Sequence, residues 1–414
     1  MSKVTLRIEA LGRRGEGIAR HEGRSVFVPG TLPGETVRAE GDGERLGLVA
    51  VEVASPARAA PFCKHYGRCG GCQLQHWAEE PYRAWKAASV AEALKAHGIA
   101  VDVPACIDAH GAGRRRVILH ARRREGAVSA GYMEARSHRL LDIDACPLLA
   151  PALAPAFGIA RAIARGLGDC DVAVTATLTG LDVSVKAERK FAAAEHARLA
   201  EFIPVLNLAR LAVNGEVIAT AVVPRLRIGS AEVALPPGGF LQATALGEET
   251  LARLVLDHAG KAKTVADLFC GIGPFALRLA QRARVEAHDS DRAAIAALDA
   301  AARSASGLKP LTAVPRDLFR EPLVANELKP FDAVVFDPPR AGAEAQARQL
   351  ARSTVKTVIA VSCDAASFAR DAGILVEGGY ALKQVTAVDQ FKWSAHVEIV
   401  ALFSRMQPRG RLPS

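Results

Sequence analysis

The chain contains no apolar run approaching the roughly 20 residues that a membrane span requires. Its first residues, MSKVTLRIEA, show no charged-then-apolar leader and no small-residue cleavage site. Membrane insertion and secretion are therefore not expected, and the expected location is the cytoplasm. No GxxxxGK[ST] segment occurs, so the usual phosphate-gripping loop is missing. A full GxGxxG is missing as well, because Ala276 stands where the third glycine would fall. Tryptophan is scarce: Trp77, Trp85 and Trp393 are the only ones, too few to read as a set of base-stacking platforms. No fixed-period repeat or low-complexity tract stands out.

At 414 residues the chain exceeds one ordinary domain, which predicts two or three, each with its own core. Lys plus Arg outnumber Asp plus Glu by 53 to 44, giving a formal charge of +9, a balance that favours polyanionic partners such as nucleic acid. The arginines 114–116 and 122–124, on an alternating stretch, are candidates for phosphate contact. Eight cysteines in a reducing compartment read as ligands, nucleophiles or buried thiols rather than as a disulfide framework.

Residues 1 to 55 read as short strands broken by glycine turns (VTLRIEAL, GRSVFVPG, GETVRAEG, LGLVAVEVA), which predicts a small β-barrel. SPARAAP is a linker, and PYRAWKAASVAEALKAHGI has helical spacing ended by Gly98. Residues 56 to 235 hold a cysteine-rich segment followed by a mixed α+β region, with a helix near 150–166. From 236 to 414 strands alternate with helices, which predicts a parallel sheet covered on both faces.

In VADLFCGIGPFALRLA a strand runs into Gly271 and Gly273 and then into a helix whose first turn carries Pro274. The next strand ends at Asp289, placed to hydrogen-bond ribose hydroxyls. This shortened turn suits S-adenosylmethionine better than a dinucleotide. Asp317, after LTAVPRD, either contacts the adenine edge or caps a helix.

FDAVVFDPPRAG sets Asp337 at the carboxyl end of a buried strand, where open α/β sheets bind ligands. Arg340 replaces the aromatic that adenine-N6 methyltransferases carry after a similar motif. VSCDAASFARD ends the next strand at Cys363, facing a helix start whose dipole should favour the thiolate. Methylation of uracil at C5 needs such a nucleophile at C6 and then a base to remove the C5 proton. His396 and Glu398 in SAHVEIVALF, two residues apart on a β-like segment, should share a face, and Glu398 is the candidate base. Cys63, Cys69 and Cys72, with the remote Cys146-Pro147, have the pattern of a four-cysteine iron–sulfur site; zinc is the rival. His65 and His76 read as polar surface groups rather than ligands.

Together these segments resemble the bacterial RNA uracil-C5 methyltransferase family, in particular its 23S rRNA branch with a TRAM domain and an iron–sulfur cluster. The resemblance runs through GEGIARHEGRSVFVPGTLPGETV, SPARAAPFCKHYGRCGGCQLQHW, GGFLQAT, DLFCGIGPF, VSCDAASFARD and HVE. It implies an OB-like TRAM barrel over 1–55, an iron–sulfur segment and α+β domain over 56–235, and a Rossmann-like S-adenosylmethionine methyltransferase domain over 236–414. It also implies Gln242, Phe269, Gly271, Gly273, Asp289, Asp317 and Asp337 as cofactor residues, Cys363 as nucleophile and Glu398 as base. A 4Fe–4S cluster would sit on Cys63, Cys69, Cys72 and Cys146. The implied partner is RNA, 23S rRNA foremost and the tRNA T-loop as alternative, acted on by a monomer away from membranes. Asp364-Ala365 stands where the family has Asn-Pro, and this departure motivates a rival reading of an impaired protein that binds cofactor and RNA.

Overall fold

The computed structural model describes residues 3–189 and 193–406. Near the N-terminus two three-stranded antiparallel sheets pack together. One joins Lys3–Arg7, Thr36–Glu40 and Gly47–Val53; the other joins Ala10–Leu11, Glu16–His21 and Arg24–Pro29. Alternation puts Val26, Val28, Val37 and Ala39 inward, with Leu6, Ile8 and Ala19 completing the core. The Glu16–His21 strand was not expected from the sequence. It forms because Gly17 lets it approach Thr31, where an added Cβ would stand 1.9 Å from the Thr31 hydroxyl oxygen.

The middle region is a seven-stranded sheet in the order Leu140–Asp142, Ala127–Met133, Arg116–Arg124, Cys170–Thr177, Gly180–Ala187, Leu208–Val213, Glu216–Thr220. Its apolar face packs against the Ala156–Leu167 helix, which contributes Phe157, Ile159, Ala160 and Ile163 to a shared core with Leu119, Val172 and Val183.

The C-terminal sheet has eight strands in the order Leu311–Pro315, Arg284–Asp289, Thr264–Leu268, Ala333–Phe336, Thr357–Ser362, Glu398–Arg405, Tyr380–Asp389, Ile107–Asp108. The first five are parallel, but Glu398–Arg405 runs antiparallel to both of its neighbours. The expected all-parallel sheet is thus a mixed one. The short 390–397 connection explains this, since a hairpin needs only a short link whereas a parallel crossover needs a dozen residues or more. Two segments from the middle region also join this body. Ile107–Asp108 pairs with Tyr380–Asp389, and Val90, Ala93 and Leu94 of the Glu79–Lys95 helix share a core with Leu375, Val385 and Phe403.

That helix is also fixed by a buried polar joint. Lys86 Nζ donates to Asp389 Oδ1 at 2.5 Å and Tyr82 Oη donates to Asp389 Oδ2 at 2.6 Å, with Lys86 and Asp389 at most 1% exposed. Burial lowers the ammonium pKa, and the Asp389 carboxylate opposes the shift. Removing one member of such a pair strands the other in a dry interior. Lys86→Met should therefore cost about 3–5 kcal/mol, read as a lower denaturation midpoint by circular dichroism, and an unchanged midpoint would show that the pair carries no such weight.

Candidate active site

The reversed strand determines what meets at the sheet's carboxyl edge. Parallel strands present their last residues there, and an antiparallel neighbour presents its first. Ser362 pairs with Ile399, so Glu398 begins its strand beside the point where the Thr357–Ser362 strand delivers Cys363. On the other side the Ala333–Phe336 strand delivers Asp337. Glu398 is buried and Asp337 is half-buried, and both carboxyl groups are pushed up by burial, Glu398 to about 7. The negative charge of Glu398 raises Asp337 further, while Gln390, Arg340 and Lys86 lower Glu398.

Cys363 is half-buried. Burial, then Glu398 and Asp337, push its thiol up to about 11, and Arg340 opposes them. The expected helix-induced thiolate is therefore not what the resting site presents. Asp364 is the N-cap of the Ala365–Glu377 helix, and its Oδ1 accepts the amides of Ala366 and Ser367 at 3.0 Å each. His396 does not share a face with Glu398, because the strand begins only at Glu398 and His396 lies in the preceding turn. There it is exposed, and its Nε2 lies 3.2 Å from Arg340 Nη2.

The glycine turn lies at the same edge, one strand further on. Phe269 (φ 61°), Gly271 (φ 52°) and Gly273 (φ 86°) all have positive φ, which bends the chain sharply after the Thr264–Leu268 strand. Gly271 has open space where a side chain would stand, whereas a Cβ on Gly273 would meet Leu298 at 2.4 Å. One glycine thus leaves room for a ligand and the other allows helix packing. The helix that follows is shorter than expected, Ala276–Leu279, with Pro274 in the turn before it. Asp289 Oδ2 accepts the Gly271 amide at 2.8 Å, which places the strand-end acid against the turn. Asp317 Oδ1 accepts the Phe319 amide at 3.0 Å, and the Phe319 ring lies 5.4 Å from that of Phe269. Gln242 Nε2 donates to Asp337 Oδ2 at 3.2 Å, linking the GGFLQAT segment to the DPPR loop.

Cys63, Cys69, Cys72 and Cys146 lie apart from this edge and are half-buried. Burial raises the Cys69 and Cys146 thiols and pushes Cys72 up to about 12, with neighbouring cysteines of the set adding to the shift. The four are thus neighbours. Among the described residues, no group of three or more His, Cys, Asp or Glu is drawn together at metal-holding distance. His76, expected at the surface, is buried and hydrogen-bonds Tyr66.

The arginine candidates divide. Arg115 Nε donates to the Gln242 carbonyl at 3.0 Å and its Nη2 to Glu248 at 2.5 Å, while Arg116 Nη1 donates to the Gly239 carbonyl at 2.9 Å. These two brace the 238–242 loop and the start of the following helix rather than facing solvent. Arg122 and Arg124 pair with Asp171 and Asp169. Arg114 packs over the Phe391 ring. Two residues were not anticipated. Phe240 is 71% exposed two positions before Gln242, and Gln390 is fully buried between Gln242 and Glu398. The aromatic within GGFLQAT was visible in the sequence, though not its exposure; the neutral Gln390 left no charge signal.

Asp267, at the base of the glycine turn, is fully enclosed, and neither carboxylate oxygen has a hydrogen-bond partner. Burial pushes its pKa up to about 8, opposed by the nearby Ala276 amide, which forms no hydrogen bond with it, and reinforced by Asp289. The folded state thus holds a proton that the unfolded chain releases, so stability falls as pH rises from about 4 to about 8. Asp267→Asn should flatten that loss. Its melting temperature at pH 8 should exceed wild type by on the order of 5 °C, with a smaller gain at pH 5; equal gains at both values would refute the buried-acid account.

The TRAM domain family matches residues 2–40 and the methyltransferase small domain family matches residues 243–363. An RNA methyltransferase of Brucella suis is 45% identical over 402 residues, covering 96% of this chain and 97% of its own. The 23S rRNA (uracil(1939)-C(5))-methyltransferase RlmD of Chromohalobacter salexigens is 35% identical over 438 residues, covering 99% and 91%. The fold is shared with the tRNA (uracil-54, C5)-methyltransferase of Pyrococcus abyssi, solved with S-adenosyl-L-homocysteine. That match has a TM-score of 0.74 at 22% identity and covers 97% of this chain and 100% of the other.

Proposed function

We propose, from the premise that the chain belongs to the RNA methyltransferase family of these relatives, that it forms 5-methyluridine in 23S rRNA with S-adenosylmethionine as donor. The observation that carries this reading is the meeting of Cys363, Asp337 and Glu398 at one sheet edge beside the glycine turn. A thiol and an enclosed carboxylate of near-neutral pKa on either side of one base are what C5 methylation needs.

In this reading Gln242, Phe269, Gly271, Gly273, Asp289 and Asp317 hold the cofactor, which supplies an electrophilic methyl group. The target uridine leaves its stack and Phe240 packs against it. The Cys363 sulfur bonds to C6, and the C5=C6 electron pair moves to make C5 nucleophilic. Asp337, its carboxyl group pushed well up by burial, stands beside the uracil edge. After C5 has gained the methyl group, the Glu398 carboxylate takes the C5 proton. The C–H electrons restore C5=C6, and the Cys363–C6 bond breaks with its electrons returning to sulfur. Asp364 serves as a helix cap in this scheme, so its presence in place of Asn is compatible with an active nucleophile.

Incubation with labelled S-adenosylmethionine should place 5-methyluridine in 23S rRNA fragments. Methylation of tRNA alone would overturn the rRNA assignment, and none in any RNA would overturn the reaction. Cys363→Ala should lower the rate at least 10³-fold. Both Glu398 and Cys363 act deprotonated, so the single-turnover rate should rise from pH 6 to pH 9; a rate falling over that range contradicts the assignment.

We also propose that Cys63, Cys69, Cys72 and Cys146 hold a 4Fe–4S cluster. What supports this reading is the cysteine spacing and the half-buried placement of all four thiols; burial first, and neighbouring cysteines after it, raise Cys69, Cys72 and Cys146, a penalty that binding as thiolates would remove. Its role is structural, because the Gln73 and Leu74 amides beside Cys72 both donate to the Trp393 carbonyl of the 390–397 loop, at 2.8 and 3.0 Å. Protein prepared without oxygen should be brown and lose colour in Cys72→Ser; a colourless preparation with stoichiometric zinc would refute the cluster.

A further inference from the structure

We infer that Gln390 is a positioning residue for proton removal, its side-chain amide holding the Glu398 carboxylate and the Gln242 side chain in one hydrogen-bonded row. The inference rests on the reading that Glu398 is the base and Gln242 a cofactor residue. The row is continuous across the edge of the sheet. Gln390 Nε2 donates to Glu398 Oε1 at 3.0 Å and to Gln242 Oε1 at 2.6 Å, and Gln242 Nε2 donates to Asp337 Oδ2 at 3.2 Å. Both hydrogens of one nitrogen are thereby committed, one towards the base and one towards the cofactor side.

The orientation of this amide is fixed by its surroundings. Its Oε1 faces the Thr244 amide at 3.4 Å, a group that can only donate, and Nε2 faces two oxygens. A flipped amide would face donor to donor on one side and acceptor to acceptors on the other. Thr244 is itself held, its hydroxyl donating to the Ala109 carbonyl at 2.7 Å and accepting the Gly247 amide at 2.9 Å. Gly247 is required by the same packing, since a Cβ there would stand 2.7 Å from Gln390 Oε1. Gln390 is fully buried, so no water competes for its amide.

The chemistry gives this bond a direction. An amide hydrogen donated to a carboxylate favours its ionised form, the form that accepts the C5 proton. The other charged groups facing Glu398 are Asp337 and Cys363, which oppose ionisation when negative, and Arg340 and Lys86, which favour it. Gln390 is the group of this set that touches both Glu398 and a residue of the cofactor side. Its loss should act on the last step of the reaction, after methyl transfer, and leave the addition of Cys363 intact.

The test follows the covalent RNA–protein adduct on denaturing gels, with end-labelled uridine RNA and methyl-labelled S-adenosylmethionine. Gln390→Met keeps the length and removes the amide; Gln390→Asn keeps the amide and shortens it by one methylene. In Gln390→Met, methyl transfer to RNA should stay within about threefold of wild type while release slows at least tenfold, so that methylated adduct accumulates. The pH midpoint of release should also move upward. If the Met variant does not fold, the Asn variant is read by the same criteria. Release at the wild-type rate would overturn the inference, as would transfer and release falling by the same factor with no adduct. Glu398→Gln run alongside separates the two levels. Adduct in Glu398→Gln but not in the Gln390 variants sinks only the role of Gln390, and no adduct in Glu398→Gln sinks the base assignment beneath it.

Discussion

A strand that runs against its neighbours brings its first residue to the edge where they bring their last, and the active site depends on that reversal. Were Glu398–Arg405 parallel to Thr357–Ser362, Glu398 would lie at the opposite end of the sheet from Cys363. The register of Ser362 with Ile399 makes the separation of nucleophile and base a property of strand pairing rather than of loop conformation. Strand pairing is the stiffest part of the fold, and a two-step reaction on one base gains most from stiffness, because each step tolerates little misplacement.

The reversal has to be held at its turn, and here polar burial does what a longer crossover would otherwise do. Asp389 ends one arm of the hairpin and is gripped by Lys86 and Tyr82 from the Glu79–Lys95 helix. Tyr82 Oη in turn accepts the Trp393 amide at 2.8 Å, and the Trp393 carbonyl takes two amides from the cysteine segment. Trp393 itself has a positive φ of 63°, a conformation that a bulky residue holds only where its surroundings determine it. The cysteine segment, the helix after it and the hairpin therefore form one mechanical unit, although they are some three hundred residues apart in sequence.

How much of this was legible follows the reach of each signal. Most barrel strands, the Glu79–Lys95 helix and the strand and glycine turn around Gly271 came from local periodicity and glycine placement; the Glu16–His21 strand was not read and the helix after the turn is shorter than its pattern. The reversed direction of the Glu398–Arg405 strand was not legible either, because apolar runs report burial and not strand direction. The attachment of Ile107–Asp108 and of the Glu79–Lys95 helix to the C-terminal sheet was invisible for the same reason: pairing over nearly three hundred residues leaves no local trace. The arginine run shows the limit of charge. Its composition suited RNA phosphates, but Arg115 and Arg116 spend their guanidinium groups on Glu248 and on the carbonyls of Gln242 and Gly239. Net charge measures the likelihood of an anionic partner without identifying the residues that meet it.

Asp364 shows why a residue beside the nucleophile need not act on it. A helix N-terminus favours a nearby thiolate because its first amides are unpaired and carry partial positive charge. Here two of those amides already donate to the Asp364 carboxylate, so the field they would direct at Cys363 is largely compensated by a full negative charge one residue away. The groups that decide the thiol lie across the sheet edge instead: Glu398 and Asp337 against it, Arg340 for it. All three face the sheet edge at which, on the proposed reading, the substrate base is bound. Neutralising either carboxyl group, or bringing Arg340 nearer, would lower the thiol pKa only when that edge is rearranged. On the proposed reading, the thiol is quiet at rest and becomes reactive only once cofactor and base have rearranged the groups that face it.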